Sequence, residues 1–253
     1  MSYSLLRRVA LAAAMAALAA CASFEPVSRQ DGTASRPPSE FQTRLDALGI
    51  PLDLPEGRAI LVNVPAFELI AFEDGTPVFR SRIIVGTRWN PTPLIDTYVS
   101  RVTFRPSWRP TPAMVASGEY RDEVRPPGRD NPLGLLAVRL EPGLLVYLHD
   151  TNQRQLFERD MRALSHGCIR VQRWDTLAAW VLGREESWVR TMAETPPSKD
   201  VPAPPIPVLI RYLPVFPAED GTVLRHPDIY GLAAGSGAPR VSGKDASAAC
   251  GGP

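Results

Sequence analysis

"RAILVNVPAFELIAFEDGTPVFRSRIIVG", residues 58–86, is the part of the chain that best indicates its fold class. Its apolar runs have the length of strands, are rich in β-branched residues, and are separated by Pro, Gly and Asp. The tetrapeptide Glu73-Asp74-Gly75-Thr76 lies between two of these runs, an arrangement typical of a hairpin turn. The stretch therefore predicts β-strands with a hairpin near its centre.

Strand-like runs continue towards the C-terminus. They predict further strands at 97–104, 134–140, 144–149, 169–172 and 206–213. Short helices are predicted over 41–49 and 174–183, because apolar residues recur there at helical spacing and a glycine follows them. The 27 prolines argue against long helices. We therefore predict one mainly β domain over residues 56–230, with a few short helices and no internal repeat.

Residues 105–134 interrupt the strand pattern. The segment holds six prolines and five arginines and has no sustained apolar period. A loop of this length inside a compact domain is usually functional or disordered. Two interpretations stay open: a solvated insertion, or a lid over a substrate site, with Trp108 and Tyr120 as its contact surface.

The N-terminus has the pattern of a secretory signal. Arg7 and Arg8 precede a run of twelve apolar residues, Val9 to Ala20, which is shorter than the roughly 20 residues that span a bilayer. "LAAC", residues 18–21, resembles the lipobox of bacterial lipoproteins, which implies cleavage before Cys21 and lipidation of that residue. A plain signal peptide with an incidental cysteine is the alternative.

These features divide the chain into four segments. Residues 1–20 are predicted as the lipoprotein signal peptide, 21–55 as a lipid-anchored tether with a short helix, 56–230 as the mainly β domain, and 231–253 as a disordered tail. Two or more acyl chains would hold the protein at a membrane. Ala22, where an Asp would favour the inner membrane by the lipoprotein sorting rule, points to the outer membrane. The expected compartment is the periplasm.

The overall charge gives no reason to expect a nucleic-acid partner. With 28 basic and 27 acidic residues the formal net charge is +1, so the chain lacks the basic surplus of nucleic-acid-binding domains. The hydrophobic fraction of 44% is that of an ordinary globular core.

Residues 149–171, "HDTNQRQLFERDMRALSHGCIRV", concentrate the rare reactive side chains: two of three histidines and one of three cysteines. His149 ends one predicted strand and Cys168 begins another, so the two residues can meet where neighbouring strands end. A nearby imidazole activates a thiol as a nucleophile. His166 would share a face with Cys168 if the segment is extended, Gly167 would allow an oxyanion hole, and Arg170 would bind a carboxylate.

Alternatives for the same residues remain. We expect Cys168 as a free thiol rather than in a disulfide with Cys250, because a low-complexity tail specifies no partner. A zinc site from His149, His166 and Cys168 has enough ligands, but no metal-binding spacing supports it. For His149, Cys168 and Arg170 the structural alternatives are a strand-end histidine, a buried thiol and a surface ion pair.

A family resemblance can now be stated. "LHDT" at 148–151 followed by "SHGCIR" at 165–170 resembles the L,D-transpeptidases with the YkuD-type catalytic domain. "FRPSWRPTP", "NPLG" and "DIYG" further resemble the branch that cross-links peptidoglycan. The resemblance covers roughly residues 56–230 and implies a mainly β, sandwich-like fold.

The resemblance also implies roles for individual residues. Cys168 would be the nucleophile, His149 its general base and acid, and His166 a third member of the site. The amides around Gly167 would form the oxyanion hole, with Ser165 helping to orient that segment. The backbone carbonyl of Asp150 would orient the imidazole, and Arg170 would hold a substrate carboxylate.

The implied substrate is a peptidoglycan tetrapeptide stem. Cys168 would attack it, release D-Ala, and pass the resulting thioester to an amine of a second stem, forming 3-3 cross-links. A protein amine would instead attach a lipoprotein, and water would give carboxypeptidase activity. Carbapenem-type inhibitors are expected to acylate Cys168, and no metal or organic cofactor is required. A non-catalytic lipoprotein that binds the cell wall is the alternative outside enzyme chemistry.

Overall fold

The computed structural model describes residues 37–128 and 130–232. The predicted signal peptide, the lipidation site Cys21 and all of the predicted tail beyond residue 232 lie outside these residues. Within the described part, no helix is both long and apolar enough to cross a bilayer.

The hairpin predicted at residues 73–76 is confirmed. The strands are β1 (Arg58–Asn63), β2 (Glu68–Glu73) and β3 (Thr76–Gly86). The strand β2 pairs antiparallel with both β1 and β3, and Glu73 faces Thr76 across the turn. Asp74 and Gly75 at the turn have φ of 50° and 73°. Positive φ at both central residues is the geometry that matches the twist of the flanking strands, and Asp-Gly adopts it readily.

The remaining strands extend this hairpin into one large mixed sheet. They are β4 (Asp96–Tyr98), β5 (Arg101–Phe104), β6 (Leu136–Arg139), β7 (Tyr147–His149), β8 (Ala163–Ser165), β9 (Ile169–Val171), β10 (Lys199–Pro202) and β11 (Pro207–Arg211). The strand order is β10-β5-β6-β7-β9-β3-β2-β1-β11-β4, with β8 pairing alongside β3. A separate hairpin joins β12 (Val215–Pro217) and β13 (Val223–Arg225). The prediction of a mainly β fold is confirmed.

The single strand predicted over 97–104 is wrong in one respect. It is two strands, because β4 pairs with β11 at one end of the sheet and β5 pairs with β6 and β10 near the other. Only Val99 and Ser100 separate them, and consecutive Cα atoms are about 3.8 Å apart. The two ends of the strand order therefore meet, so the sheet curls back on itself.

The alternation of side chains along β1 and β11 places successive residues in two different clusters of buried residues. In β1 and β11, Ile60, Val62 and Val208 belong to the main core inside the curl, while Leu61 and Leu209 belong to a second cluster on the outer face. These strands read as continuous apolar runs because both of their faces are buried.

The described part of the chain contains four α-helices: α1 (Glu40–Ala47), α2 (Pro112–Ala116), α3 (Trp174–Leu182) and α4 (Glu186–Glu194). The two predicted helices, α1 and α3, are confirmed. Ser39 caps α1 by accepting a hydrogen bond from the Gln42 amide at 3.0 Å, and Gly183 ends α3 with φ of 61°. The α3 and α4 helices pack into the main core, and Leu45 of α1 lies in the outer cluster.

The segment 105–134 is more regular than predicted. It contains α2 and an antiparallel bridge between Trp108 and Arg125. A five-residue helix is too short to show an apolar period, although Thr111 before Pro112 is a typical helix start. Buried Asn131 donates to the Pro106 carbonyl at 2.8 Å, which ties the two ends of the segment together.

Candidate active site

Strand alternation places the predicted catalytic residues on one face. The strands β7 and β9 pair in parallel, with Leu148 facing Ile169 and His149 facing Arg170. Leu148 and Ile169 point into the main core. Since neighbouring side chains alternate, His149, Cys168 and Arg170 point outward, where they line one pocket.

This pocket lies beneath the segment 105–134. Its lining combines the two neighbouring strand ends with residues from that segment: Trp108, Met114, Tyr120, Pro132, Leu133, His149, Ser165, His166, Cys168 and Arg170. Seven of the residues that the sequence singled out for chemistry or substrate contact are therefore brought together here.

The His149 imidazole is held in one tautomer. Its Nδ1 hydrogen-bonds to the backbone carbonyl of Asp150, and because a carbonyl only accepts, Nδ1 carries the proton. In the neutral ring Nε2 is then the free lone pair. Burial, and next the positive charge of Arg170, lower the pKa of His149 to about 3. The ring is thus neutral at physiological pH.

Hydrogen bonds to the Asp150 side chain hold the residue whose carbonyl contacts His149. Its carboxylate is 1% exposed and forms a paired contact with Arg154, at 3.0 Å to Nε and 2.7 Å to Nη2. The same carboxylate accepts the Leu135 amide at 2.9 Å. Three donors therefore fix the residue whose carbonyl orients the imidazole.

Cys168 differs from the expectation of a free thiol. Its sulfur is bonded in a disulfide, and the two other cysteines of the chain lie outside the described residues. The free-thiol prediction is wrong for this structure, because spacing along a chain does not tell which cysteines meet in space. The Cys168 side chain is buried, and its sulfur accepts the Tyr147 amide at 3.3 Å.

A tight turn, rather than an extended segment, leads into Cys168. The strands β8 and β9 pair with β3 in opposite directions, and the chain reverses at Gly167, whose φ is 114°. The Ser165 hydroxyl donates to the Cys168 carbonyl at 2.6 Å and accepts the Gly167 amide at 3.1 Å. The Gly167 amide, expected in the oxyanion hole, therefore has a protein partner here.

Thr92 braces the same turn from behind. Its buried hydroxyl donates to the Gly167 carbonyl at 2.9 Å and accepts the Gly86 amide at 2.8 Å. The Tyr230 hydroxyl accepts the Thr92 amide at 3.1 Å and donates to the Gly86 carbonyl at 2.7 Å. Thr92 was not among the site residues predicted from the sequence.

Arg170 and His166 are placed differently from each other. Arg170 Nη1 donates to the Gln153 side chain at 2.9 Å, and no carboxylate of the described residues lies within ion-pair distance of it. His166 is partly exposed, and its Nε2 lies 2.8 Å from Glu119 Oε2. Glu119 is the second residue that sequence reasoning missed.

The aromatic residues of the segment 105–134 form the roof of the pocket. Trp108 is only 2% exposed and packs edge-on against Tyr120, with ring centroids 5.1 Å apart. The Arg125 guanidinium lies 5.6 Å and 5.5 Å from the centroids of these two rings. As a contact surface, Trp108 offers substrate only its pocket-facing edge.

The zinc alternative gains no support. Among residues 37–128 and 130–232, no three His, Cys, Asp or Glu side chains are grouped closely enough to hold a metal ion.

The fold and the pocket define a class: a curled β-sheet with a histidine and a cysteine at the ends of adjacent parallel strands. A model of the L,D-transpeptidase catalytic domain, YkuD, matches residues 57–210. The chain belongs to the YkuD L,D-transpeptidase family.

Relatives agree with this assignment. A candidate L,D-transpeptidase of Haemophilus influenzae is 32% identical over 216 residues, covering 68% of this chain and 44% of that protein. The candidate L,D-transpeptidase YbiS of Escherichia coli K12 is 35% identical over 122 residues, covering 46% of this chain and 38% of that protein. The chain thus spans less than half the length of these relatives.

A solved L,D-transpeptidase from Mycobacterium smegmatis has a TM-score of 0.39 and 16% identity, over 61% of this chain and 58% of that chain. The catalytic domain of the Enterococcus faecium L,D-transpeptidase, acylated by ertapenem, has a TM-score of 0.39 and 17% identity, over 63% of this chain and 100% of that chain.

Proposed function

We propose that this protein, with Cys168 reduced, is an L,D-transpeptidase that acts on peptidoglycan tetrapeptide stems through a thioester. The observation that carries the proposal is the parallel pairing of β7 and β9, which puts His149 and Cys168 into one pocket. The family assignment supports the reaction class.

In the acylation step, the His149 Nε2 lone pair takes the proton of the Cys168 thiol. The thiolate attacks the carbonyl of the diaminoacyl residue, forming a C–S bond, and the C–N bond to the terminal D-Ala breaks. The imidazolium returns its proton to the departing amine. The Asp150 carbonyl, which accepts from Nδ1, keeps the ring in this tautomer throughout.

In the second step an amine of another stem attacks the thioester. A C–N bond forms, the C–S bond breaks, and the sulfur recovers a proton through His149. The product is a 3-3 cross-link. Arg170, which lines the same pocket, would bind a carboxylate of the donor stem in a two-pronged contact. The roof formed by Trp108 and Tyr120 would exclude water from the thioester.

The test uses the reduced protein and purified disaccharide-tetrapeptides, with products measured by mass spectrometry. We expect a cross-linked dimer with loss of one D-Ala, and no product from Cys168→Ala. A shortened tripeptide alone would indicate the carboxypeptidase alternative. The absence of any product and of any covalent adduct on Cys168 would contradict the proposal.

We further propose that the protein works in the periplasm as a lipoprotein of the outer membrane. The signal pattern of residues 1–20 and the lipobox-like sequence before Cys21 support this location. Labelling with a radioactive fatty acid should mark the wild-type protein and not Cys21→Ser, and the variant should leave the membrane fraction. Equal labelling of both would contradict lipidation at Cys21.

A further inference from the structure

Positively charged side chains outnumber negatively charged ones around the pocket. Arg170 lines the pocket, and Arg125 lies over the Tyr120 ring at its roof. Among the described residues, none that lines the pocket is acidic. The carboxylate that reaches a pocket-lining side chain within the described residues is that of Glu119, through His166.

Glu119 is placed where an incoming molecule can reach it. Its side chain is 47% exposed and that of His166 is 29% exposed, so their contact at 2.8 Å lies at the mouth of the pocket rather than in its floor. Glu119 also acts on the roof: burial first, and then the negative charge of Glu119, raise the pKa of Tyr120. The carboxylate therefore faces the same space as the roof aromatics.

The proposed reaction has one substrate group without a partner among the residues discussed so far. A stem-peptide acceptor arrives as an ammonium, since an alkyl amine is protonated near neutral pH. Before it can attack a thioester it must lose one proton and be oriented. His149 is buried in the same pocket as Cys168, and in the proposed reaction it exchanges protons with the Cys168 sulfur.

We propose that Glu119 is a specificity-determining residue that binds the acceptor's ammonium group at the pocket mouth, where its carboxylate contacts His166. This inference rests on the proposed transpeptidase function. It names the class of acceptor: a primary amine that is charged in solution, such as the side-chain amine of a diamino acid.

The protons and bonds of this step balance. The ammonium gives one proton to water, and the neutral amine attacks the thioester carbonyl. Its C–N bond forms, and the C–S bond to Cys168 breaks. The second amine proton goes through His149 to the sulfur.

This arrangement favours an amine over water as the acceptor. A charged ammonium donates a charge-assisted hydrogen bond to the Glu119 carboxylate. Neutral water donates a weaker hydrogen bond to the same carboxylate. Removing the carboxylate charge should therefore change the partition of the thioester between the two acceptors, and leave the formation of the thioester unchanged.

The experiment compares Glu119→Gln with the wild type, both reduced. Acylation is measured alone, as the rate of adduct formation on Cys168 with a carbapenem. Partition is measured with disaccharide-tetrapeptide as donor and acceptor, as the ratio of cross-linked dimer to hydrolysed tripeptide. We expect an unchanged acylation rate, a fall in the ratio of about tenfold, and a higher acceptor KM, the size of effect typical for loss of one charge-assisted contact.

Two further variants complete the test. Glu123→Gln removes an exposed carboxylate of the same segment and should behave as the wild type. Glu119→Asp keeps the charge and should restore part of the ratio. An unchanged ratio in Glu119→Gln, or an equal loss of acylation and cross-linking, would overturn the inference. A wild-type protein that forms no adduct at all would instead contradict the proposed function.

Discussion

At the scale of single residues, the chemistry depends on the oxidation state of one sulfur. The disulfide at Cys168 occupies the atom that would attack a substrate, and a disulfide sulfur has no thiolate to offer. The thiol–disulfide equilibrium at this position thus determines whether the pocket is reactive.

We predict that the oxidised protein does not react with a carbapenem and that reduction restores the reaction. Incubation with dithiothreitol before the inhibitor should give one adduct on Cys168, seen as a single mass increase, while the untreated protein should stay unmodified. Cys168→Ala, treated in the same way, is the control. Equal labelling with and without reductant would show that the reactive sulfur is not held in the disulfide.

His149 should make the fold sensitive to mild acid. Its pKa is about 3 in the folded protein and near 6.5 in an unfolded chain. Between these values the unfolded state binds a proton that the folded state does not, so the free energy of unfolding falls as pH drops below about 6.5. The contribution of His149 to the free energy of unfolding is fully present at pH values above the pKa of this histidine in the unfolded chain.

We therefore predict that His149→Gln flattens the pH dependence of stability between about pH 7 and pH 5. Urea unfolding at several pH values in this window, where most carboxylates stay ionised, is the measurement. The glutamine amide can still donate to the Asp150 carbonyl, which limits damage to the packing. The same slope in variant and wild type would mean that the imidazole is not kept neutral by burial.

At the scale of elements, the turn before β6 and the strand end of β7 constrain each other. Gly134 has φ of 62°, and a Cβ built on it would lie 2.4 Å from Asp150 Oδ2 and 2.7 Å from the Thr151 amide. An alanine would therefore push away the residue whose carbonyl orients His149. Conformation and close approach both require glycine at this position.

We predict that Gly134→Ala lowers both stability and the acylation rate of the reduced protein. Gly143→Ala is the matched control, because Gly143 also has a positive φ, 89°, but nothing lies within 4 Å of its Cβ position. The control should lose only the roughly 1–2 kcal/mol of backbone strain and keep its acylation rate. Denaturant unfolding and inhibitor kinetics separate the two effects, and equal behaviour of both variants would contradict the role of the contact.

The sequence predicted the elements best where the pattern is local. The hairpin at Asp74-Gly75 and the helix ending at Gly183 follow from turn and cap chemistry that acts within a few residues. The helices α2 and α4 were missed. The α2 helix is too short to show a period, and the pattern of α4 lies in a polar stretch with only Val189 and Ala193 buried.

The site was predictable as a set of residue types but not as a set of contacts. The strand-end positions of His149 and Cys168 follow from apolar runs, and the pairing of β7 with β9 agrees with the prediction that these strands are neighbours. The partners Thr92 and Glu119 are distant in sequence from the turn that they contact, so no local pattern indicates them. For the same reason the sequence favoured a free thiol at Cys168 and kept the disulfide only as the alternative.

At the scale of the whole molecule, the buried residues on the outer face of the curled sheet lie apart from the residues that line the pocket. The pocket lies over β7 and β9, and the outer cluster that contains Leu45 lies over β1, β2 and β11. The strand β3 stands between these two regions in the strand order. The regions share no cluster of buried residues outside the main core.

This separation gives a prediction for Leu45→Ala in α1. Leu45 is fully buried against Phe72 and Phe216, so its truncation leaves a cavity and should lower the free energy of unfolding by about 3 kcal/mol. Alanine favours a helix at least as well as leucine, so the loss would come from packing.

Leu48→Ala is the control variant. Leu48 lies at the end of the same helix and is 37% exposed, so this substitution should lower the free energy of unfolding by less than about 1 kcal/mol. At a temperature where all three proteins are folded, the reduced forms should react with a carbapenem at equal rates, because no residue of α1 is among the described residues that line the pocket. A drop in the acylation rate of Leu45→Ala comparable to its loss of stability would show that the sheet transmits packing at its outer face to the turn around Cys168.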